Sequence, residues 1–580
     1  MAVQTKFGME GVVAFQILSC WMIVLTRASA RWLIALSLVG GVTLLVAPVA
    51  SSALSDQSKP AGPPPLYENL GTLHHPITTD SREAQRYFDQ GLRLLYAFNH
   101  EEAIYSFEEA ARLDPKAAMT YWGIALALGP NINAPRDKDQ ERRAYEAIQR
   151  AQTLAAGVGE PEQAYIAALA VRYSPAPEAK PEVQDQAYAE AMRALSTRFP
   201  EDPDAAILFA EALMDLRPWD FWAKDGQAQP GTEEILTTLE RVLTRHPDHP
   251  GACHFYIHAV EASSHPEKAL ACARRLPQLM PGAGHLVHMP AHIYMRVGLY
   301  HEAAERNAHA AAVDEEYLDH RHLVGVYPTG YYLHNLHFLW ASLLMEGRSQ
   351  EAIRVARELA AKVSQDHADH EREFWLEQFT ATPVLSLVRF GRWDEVLREP
   401  APPEARLYTR AMWHYARGLA FAAKGQFKKA EGERRHLKTA VEVLSKDRSD
   451  SYKEAAPLLK IADKVVAGET AARRGDAGEA IRLFEEAVRL EDALRYMEPP
   501  DWYYPVRHSL GAALLAAGRA TEAVAVYQED LKRHPENGWA LMGLVQSLKA
   551  GQAATEAAAV ETRFRQAWTR ADVTLAASRF

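Results

Sequence analysis

The chain has 580 residues, of which 48% are hydrophobic and 24% are charged, and its formal net charge at pH 7 is −11. Proteins that bind nucleic acids carry a basic field, so this acidic balance argues against a nucleic-acid partner. Three cysteines are too few for a disulfide scaffold, and the apolar fraction excludes a disordered or collagen-like chain. The composition therefore indicates a large, mostly helical protein.

The first segment of the chain has the composition of a targeting sequence. Residues 32–50 form an apolar run without a charge, preceded by Arg27 and Arg31 and followed by small residues. A basic start, an apolar middle and a small-residue exit are typical of a secretory signal peptide. We therefore predict that residues 1–53 are a signal peptide and that the mature body is exported to the periplasm or the cell envelope.

A second apolar run, over residues 11–26, leaves an alternative open. Either the true start is Met22, or the two runs form a hairpin that anchors the protein in the membrane, although each run is short for a span of about 20 residues. In both cases the protein reaches the membrane only through this N-terminal segment. Residues 54–79, which contain the sequence KPAGPPP, are predicted to form a proline-rich linker.

Helical periodicity dominates the chain beyond the linker. Residues 90–115 show a unit with small residues, an aromatic residue and a proline at fixed offsets, namely Gly91, Ala103, Phe107, Ala110 and Pro115. Small residues are needed where two helices cross closely, the aromatic ring fills the space beyond, and proline ends the second helix. The offsets recur at Gly511, Ala523, Tyr527, Asp530 and Pro535, and in part from Gly468, Ile257, Ala291 and Trp340.

This pattern resembles the tetratricopeptide repeat (TPR) family, whose unit is a helix-turn-helix of about 34 residues. The step from Ile257 to Ala291 is 34 residues, and the resemblance covers most of residues 80–570. Local sequences such as EPPDWYYPVRHSLG look like a bacterial exported subgroup of unassigned role. The resemblance implies an all-α, right-handed superhelical solenoid of helix pairs, and it supplies no activity.

A proline-rich stretch at residues 399–405 favours a division between two stacks of repeats. We expect an N-terminal array over residues 80–398 and a C-terminal array over residues 399–580. Cys253 and Cys272 fall on the two helices of one predicted repeat in the first array. A disulfide between them is consistent with an oxidising compartment, and the sequence does not decide whether they pair.

Seven histidines recur at the same helical offsets in three neighbouring repeats. Counted from Ile257, Ala291 and Trp340, they lie six or three residues before or one residue after, and Glu261 lies four after. These offsets trace one stripe of a helix, opposite the face that packs on the second helix of each pair. The stripe comprises His254, His258, His285, His288, His292, His334 and His337. In a tetratricopeptide stack it would line the concave groove, and His508 repeats the offset in a late repeat.

This stripe favours metal binding. His254 and His258 are one helical turn apart, so together they can chelate one ion. Histidines from a neighbouring helix, about 8–10 Å away, can converge on the same ion. The predicted ligands are His254, His258, Glu261, His285, His288 and His292, with Glu261 as a ligand or as a hydrogen-bond partner of a ligand. Imidazole suits several transition metals, and an exported location favours zinc or copper.

Functions from two classes follow, beside the plain alternative that the histidines only pack. The first is an exported scaffold whose concave groove binds a peptide, a protein or a small ligand, directly or through a transition metal. The second is a metal-dependent enzyme, hydrolytic or oxidative, built in the same groove. The sequence contains no recognisable catalytic or nucleotide-binding motif that would decide for an enzyme. The residues expected to rim the groove are His334, His337, Tyr331, Tyr332, Arg296 and His508.

Overall fold

The structure, a computed structural model, describes residues 62–175, 180–321, 326–366, 374–446 and 452–580, without the side chains of residues 320, 321 and 364–366. The predicted signal peptide and both N-terminal apolar runs lie outside these ranges. Within them, no helix combines the length and the apolar character that crossing a membrane requires.

Helices and short connections make up the described chain, with two isolated β-bridges and no β-sheet in the described ranges. The helices are α1 (Arg82–Tyr96), α2 (His100–Leu113), α3 (Ala118–Ala127), α4 (Lys138–Leu154), α5 (Glu160–Ala170), α6 (Pro181–Arg198), α7 (Pro203–Asp215), α8 (Thr232–Arg245), α9 (Pro250–Glu261), α10 (Leu270–Leu279), α11 (Gly284–His288), α12 (Pro290–Arg296), α13 (Tyr300–Arg321), α14 (Leu333–Glu346), α15 (Ser349–Asp366), α16 (Phe374–Arg389), α17 (Trp393–Arg398), α18 (Leu407–Ala423), α19 (Phe427–Leu444), α20 (Ala455–Arg474), α21 (Ala477–Asp492), α22 (Arg507–Ala516), α23 (Ala520–Arg533), α24 (Gly538–Ala550) and α25 (Ala554–Ala567).

Each helix packs mainly on its neighbours along the chain. The pairs α1 with α2, α18 with α19 and α20 with α21 make the most extensive contacts, and the second helix of a pair then packs on the first helix of the next. A core built from successive helix pairs is the architecture of a helical-repeat solenoid. The prediction of an all-α solenoid is confirmed.

The small and aromatic residues of the predicted repeat unit meet where the helices of a pair cross. A Cβ atom on Gly91 would lie 2.6 Å from the ring of Phe107, and one on Gly511 would lie 2.4 Å from the ring of Tyr527. Both rings are fully buried. Glycine is therefore required at these crossings because the aromatic ring of the second helix occupies the space that a methyl group would need.

Part of the predicted linker packs against the helices. From Gly62 onward this segment is described, and Leu70 and Ile77 belong to the same buried cluster as the first helices. His75 Nδ1 lies 2.7 Å from Asp204 Oδ2 on α7, which ties the segment to the array. The described residues from Gly62 onward form one compact unit, and the division near residue 399 stays a prediction.

Candidate functional site

Four helices of the N-terminal half carry the predicted cluster. Helix α9 holds His254, His258 and Glu261, α11 holds His285 and His288, α12 holds His292, and α14 holds His334. Helices α11 and α12 are separated only at Met289, where Pro290 lacks the N–H group that a continuous helix would use. Met289 itself keeps helical dihedral angles, so the two helices continue in one direction. The side chains therefore keep the one-stripe spacing that the sequence predicts.

Five of the seven histidines of the stripe are buried, contrary to the expectation of an open groove, and His334 and His337 are partly exposed. His254, His288 and Glu261 have no exposed surface, and His258, His285 and His292 are each 2% exposed. Phe98, from the turn between α1 and α2, and Trp219, from the loop between α7 and α8, both lie against His258. These rings cover the face that a simple stack of helix pairs would leave open, so the histidines form an interior cluster.

Six imidazoles of the cluster fall into two sets of three. The first set is His254, His258 and His285, and the second set is His288, His292 and His334. Within each set, one ring nitrogen from every histidine lies within 4.8 Å of the other two. Rings of the two sets also meet, with centroids 5.6 Å apart for His258 and His292 and 5.8 Å apart for His285 and His288. His334 is the partly exposed member.

The carboxylate of Glu261 connects the two sets. Its Oε1 accepts a hydrogen bond from His258 Nδ1 at 2.9 Å, and its Oε2 pairs with His292 Nδ1. Because an ionised carboxylate cannot donate, both Nδ1 atoms carry the proton, and in the neutral rings Nε2 keeps its lone pair. Nε2 of His258 is buried and has no hydrogen-bond partner among the described residues. Glu261 is thus a hydrogen-bond partner of His258, and its role at a metal ion stays a prediction.

Two further hydrogen bonds fix tautomers in the same way. His254 Nδ1 donates to the main-chain oxygen of Tyr96 at 2.7 Å. His288 Nδ1 donates to Asn307 Oδ1 at 2.6 Å, while the amide nitrogen of Asn307 donates to the Ala303 carbonyl. Nε2 of both histidines is therefore left unprotonated. An oxygen acceptor on Nδ1 with a free Nε2 is the arrangement that metal-ligating histidines show. The sequence analysis did not identify Tyr96 or Asn307 as part of the site.

Nε2 atoms face each other within both sets. His288 Nε2 lies 2.9 Å from His292 Nε2, and His254 Nε2 lies 3.1 Å from His285 Nε2. In the neutral rings of His288 and His292 both Nε2 atoms carry lone pairs, and these repel each other unless a proton or a metal ion lies between them. Two nitrogens bound to one tetrahedral ion, each at about 2.0–2.1 Å, are about 3.3 Å apart. The spacing is thus close to that of two ligands on one ion.

Burial controls the protonation of the cluster. Loss of hydration, reinforced by neighbouring histidines, lowers four imidazole pKa values well below the usual 6.5, those of His254, His285, His288 and His334. Burial alone would raise the pKa of Glu261, but His292 and the hydrogen bonds from His258 and His292 outweigh it and lower this pKa to about 2. These histidines are neutral at pH 7 beside an ionised carboxylate, and neutral imidazole is the form that binds metals.

Aromatic rings enclose the cluster, and the sequence analysis missed the two that close it. Besides Phe98 and Trp219, the ring of Tyr331 packs against that of His285. The ring centroid of Phe338 lies 5.0 Å from that of His288 and 4.9 Å from that of His292. Phe98 and Trp219 have φ angles of +56° and +62°, which are strained for residues other than glycine. Such strain concentrates at functional sites. The available signal for Trp219 was the aromatic insertion RPWDFW beside a histidine-bearing repeat.

Two of the predicted groove residues adjoin the cluster in addition to His334. Tyr331 does so through His285. Arg296 donates hydrogen bonds to the main-chain oxygens of Glu261 and Ser263, so its guanidinium lies at the end of α9. Arg296 therefore places a positive charge beside the cluster without joining either set.

Three predicted groove residues make their contacts elsewhere, which corrects the expectation that all of them rim one site. Tyr332 donates to Glu315 at 2.6 Å. His337 packs on the rings of Trp340 and Phe379. His508 lies in the C-terminal half, where its contacts are Arg389 and Asp530. The shared helical offset of His508 therefore reflects the repeat and does not bring this residue to the cluster.

The two cysteines of the predicted repeat are buried free thiols. A hydrogen bond between Cys253 and Cys272, together with burial, raises the pKa of Cys253, so this thiol stays protonated at neutral pH. Their side chains meet as the predicted repeat requires, and in this structure they are not joined by a disulfide. Neither cysteine belongs to the two histidine sets.

No protein-family model matches the chain, and no curated protein matches it. Among solved structures, the human IFIT1 dimer with m7Gppp-AAAA is 12% identical, with 85% of this chain and 91% of that chain covered and a TM-score of 0.29. The TPR domain of P58(IPK) is 12% identical, with 82% of this chain and 99% of that chain covered and a TM-score of 0.21. At these scores neither structure bears on the histidine cluster or its ligand.

Proposed function

We propose that this chain is a helical-repeat protein that holds a transition metal in its interior histidine cluster. The ligands are imidazole nitrogens of the first and second sets, and Glu261 orients two of them through its contacts with Nδ1 of His258 and of His292. Zinc and copper are the expected metals because imidazole suits both, whereas magnesium and calcium prefer oxygen ligands.

The contact between His288 and His292 carries this proposal. Their Nε2 atoms lie 2.9 Å apart, Asn307 Oδ1 accepts a hydrogen bond from His288 Nδ1, and His292 Nδ1 lies in an ion-pair contact with Glu261 Oε2. Neither ring has a second proton in its neutral form, so the contact between the two Nε2 atoms is repulsive without a cation. A metal ion bound to both Nε2 atoms removes the repulsion and uses both lone pairs.

A shared proton would relieve this one contact but leave the first set unexplained. His258 Nε2 is a buried lone pair without a partner among the described residues. Leaving a buried polar group unsatisfied costs about 1–3 kcal/mol. A metal ion in the first set satisfies His258, whereas a proton between the rings of the second set does not.

Two roles remain for the centre within this proposal. A helical-repeat array offers extended surfaces to protein or peptide partners, and because the cluster is interior, such a partner would bind on another surface. A metal-dependent enzyme is the second candidate, and the observation in its favour is that each set supplies three nitrogens, which leaves a coordination position open. Export to the periplasm or envelope remains the prediction from residues 32–50.

Metal analysis of the purified chain tests the proposal. The protein is expressed without an affinity tag, stripped with a chelator, incubated with Zn²⁺ or Cu²⁺, desalted and analysed by elemental mass spectrometry. We expect tightly held metal in the wild type and its loss in the His258→Ala/His292→Ala double variant, which removes one ligand from each set.

The matched control is a second pair of neighbouring histidines far from the cluster. His414 and His436 stack with centroids 4.7 Å apart in the C-terminal half. A His414→Ala/His436→Ala variant should keep the metal content of the wild type. Wild-type protein that stays free of metal after incubation with both ions would overturn the proposal, as would equal metal loss in the two double variants.

A further inference from the structure

We infer that the cluster is a two-ion centre, in which each set of three histidines holds one transition-metal ion that keeps an open position for a small anion. This inference rests on the proposed function and extends it from a metal site to a pair of coupled sites. Three observations support it: the ring nitrogens form two separate sets of three, Glu261 contacts one histidine of each set, and the charges around the cluster are mainly positive once two ions are bound.

Each set contains its own close contact between Nε2 atoms. In the first set the contact joins His254 and His285 at 3.1 Å, and in the second it joins His288 and His292 at 2.9 Å. The two contacts share no residue, so one ion placed in the first does not relieve the second. Each set also supplies its own third nitrogen within 4.8 Å, which makes it complete without a ligand from the other.

Glu261 contacts one histidine of each set. One carboxylate oxygen accepts from His258 of the first set, and the other pairs with His292 of the second. A single carboxylate thus orients one ligand of each ion, as carboxylates hydrogen-bonded to ligating histidines do. With one ion, one of these two contacts would orient a histidine that binds no metal.

The charges around the cluster define the class of the remaining ligand. The six imidazoles are formally neutral ligands, so two divalent ions would bring four positive charges. The acidic groups beside them are Glu261 and the buried Glu498, which interacts with His292 and Arg296. Arg296 adds a further positive charge at the end of α9. Three protein nitrogens leave at least one coordination position open on each ion. A small anion, hydroxide in water and azide as a probe, matches the charge of these positions.

Stoichiometry after removal of one ligand from one set tests the two-ion arrangement. The stripped full chain is titrated with Cu²⁺ and the tightly bound equivalents are counted for the wild type, His285→Gln in the first set and His334→Gln in the second. We expect two equivalents in the wild type and one in each variant. His337→Gln, on the same helix as His334 but outside both sets, is the matched control and should keep two.

The number of equivalents bound by the wild type tells the failure of this inference apart from the failure of the proposed function. One equivalent in the wild type would overturn the two-ion centre and leave the metal site standing, whereas no bound metal would overturn both. Circular dichroism reports whether each variant keeps its helices. If His285→Gln does not fold, His334→Gln decides alone, because His334 is partly exposed.

Azide tests the open positions on the copper-loaded wild type. Binding should add a ligand-to-metal charge-transfer band and change the electron paramagnetic resonance spectrum, with dipolar broadening that is absent from the His334→Gln variant. Spectra that azide leaves unchanged would overturn the open positions. An unbroadened wild-type spectrum identical to that of the variant would overturn the pairing of the ions.

Discussion

Asn307 Oδ1 accepts a hydrogen bond from His288 Nδ1 at 2.6 Å, and this contact decides which nitrogen of His288 is turned towards His292. Asn307 lies on α13, and its amide nitrogen donates to the Ala303 carbonyl, so its oxygen is held towards the imidazole. The second helix of a repeat thus sets the tautomer of a histidine on the first. The interior cluster depends on this kind of contact as much as on its candidate ligands.

Replacing Asn307 by leucine should weaken metal binding in the second set. The variant Asn307→Leu removes the acceptor for the Nδ1 proton of His288, so the unprotonated Nε2 is no longer fixed. We expect metal affinity to fall about 10–100-fold, the range for loss of such partners. Competition against a chromophoric chelator measures it. Asn307→Asp, which keeps an acceptor, should restore the affinity, and equal affinities in all three proteins would contradict the assigned role.

Replacing Glu261 by glutamine should affect both sets at once. A glutamine oxygen can accept from one histidine, but its NH₂ group then faces the Nδ1 proton of the other. We expect every tight equivalent measured by the same competition to weaken about 10–100-fold. Glu267→Gln is the control, since this carboxylate is exposed and pairs with His265. An effect confined to a single equivalent would show that Glu261 serves one set only.

The crossings of the repeat can be tested with two glycines in helices. Gly511→Ala should destabilise the protein by about 1–3 kcal/mol because the new methyl group meets the ring of Tyr527. Gly432→Ala, where the nearest atom to the added Cβ is the end of the Arg435 side chain at 3.9 Å, should stabilise it by about 0.5–1 kcal/mol. Denaturant unfolding followed by circular dichroism measures both. Equal effects of one sign would be incompatible with the crossing described here.

Asp314 gives the fold a pH dependence that does not involve the two sets as ligands. Its carboxyl group is fully buried and accepts hydrogen bonds from Tyr327 at 2.9 Å and from Asn335 at 2.7 Å. Burial raises its pKa from 3.8 to about 7, with a small contribution from Glu315, and the two hydrogen bonds only partly offset this. At pH values between the unfolded and the folded pKa, the carboxyl group of Asp314 is therefore protonated more often in the folded chain than in the unfolded chain.

The free energy of unfolding should accordingly fall as pH rises through this range. A group with a raised folded pKa contributes its full stability below the unfolded value of about 3.9 and loses it progressively up to the folded value. Between pH 5 and pH 8 the wild type should lose on the order of 2 kcal/mol relative to Asp314→Asn. Denaturant titrations of both proteins at the two pH values measure the difference, and a constant difference would exclude a raised pKa.

Local spacing is the part of this molecule that the sequence predicts well. The sixteen-residue interval from Gly91 to Phe107 follows from the geometry of a helix pair, and the structure places these residues at one crossing. The one-turn spacing of His288 and His292 likewise predicts that their rings lie on one face, where they meet. Both relationships depend on helical periodicity alone.

Burial of the histidines is the part that the sequence does not predict. It arises because Phe98 and Trp219, distant in sequence from the second set and from most of the first, fold over the stripe in strained backbone conformations. The periodicity of a helix carries no information about which loop covers it. For the same reason the offset rule placed His508 with the others, although its helix packs in the other half of the chain.

Anomalous diffraction from crystals of the zinc-loaded chain, recorded at the zinc absorption edge, is the most direct measurement of the central claim. It should show strong peaks at two interior positions, one between Nε2 of His254 and His285 and the other between Nε2 of His288 and His292. Interior positions without anomalous density, with zinc found only at surface side chains and the two Nε2 contacts unchanged, would contradict a metal centre in this cluster.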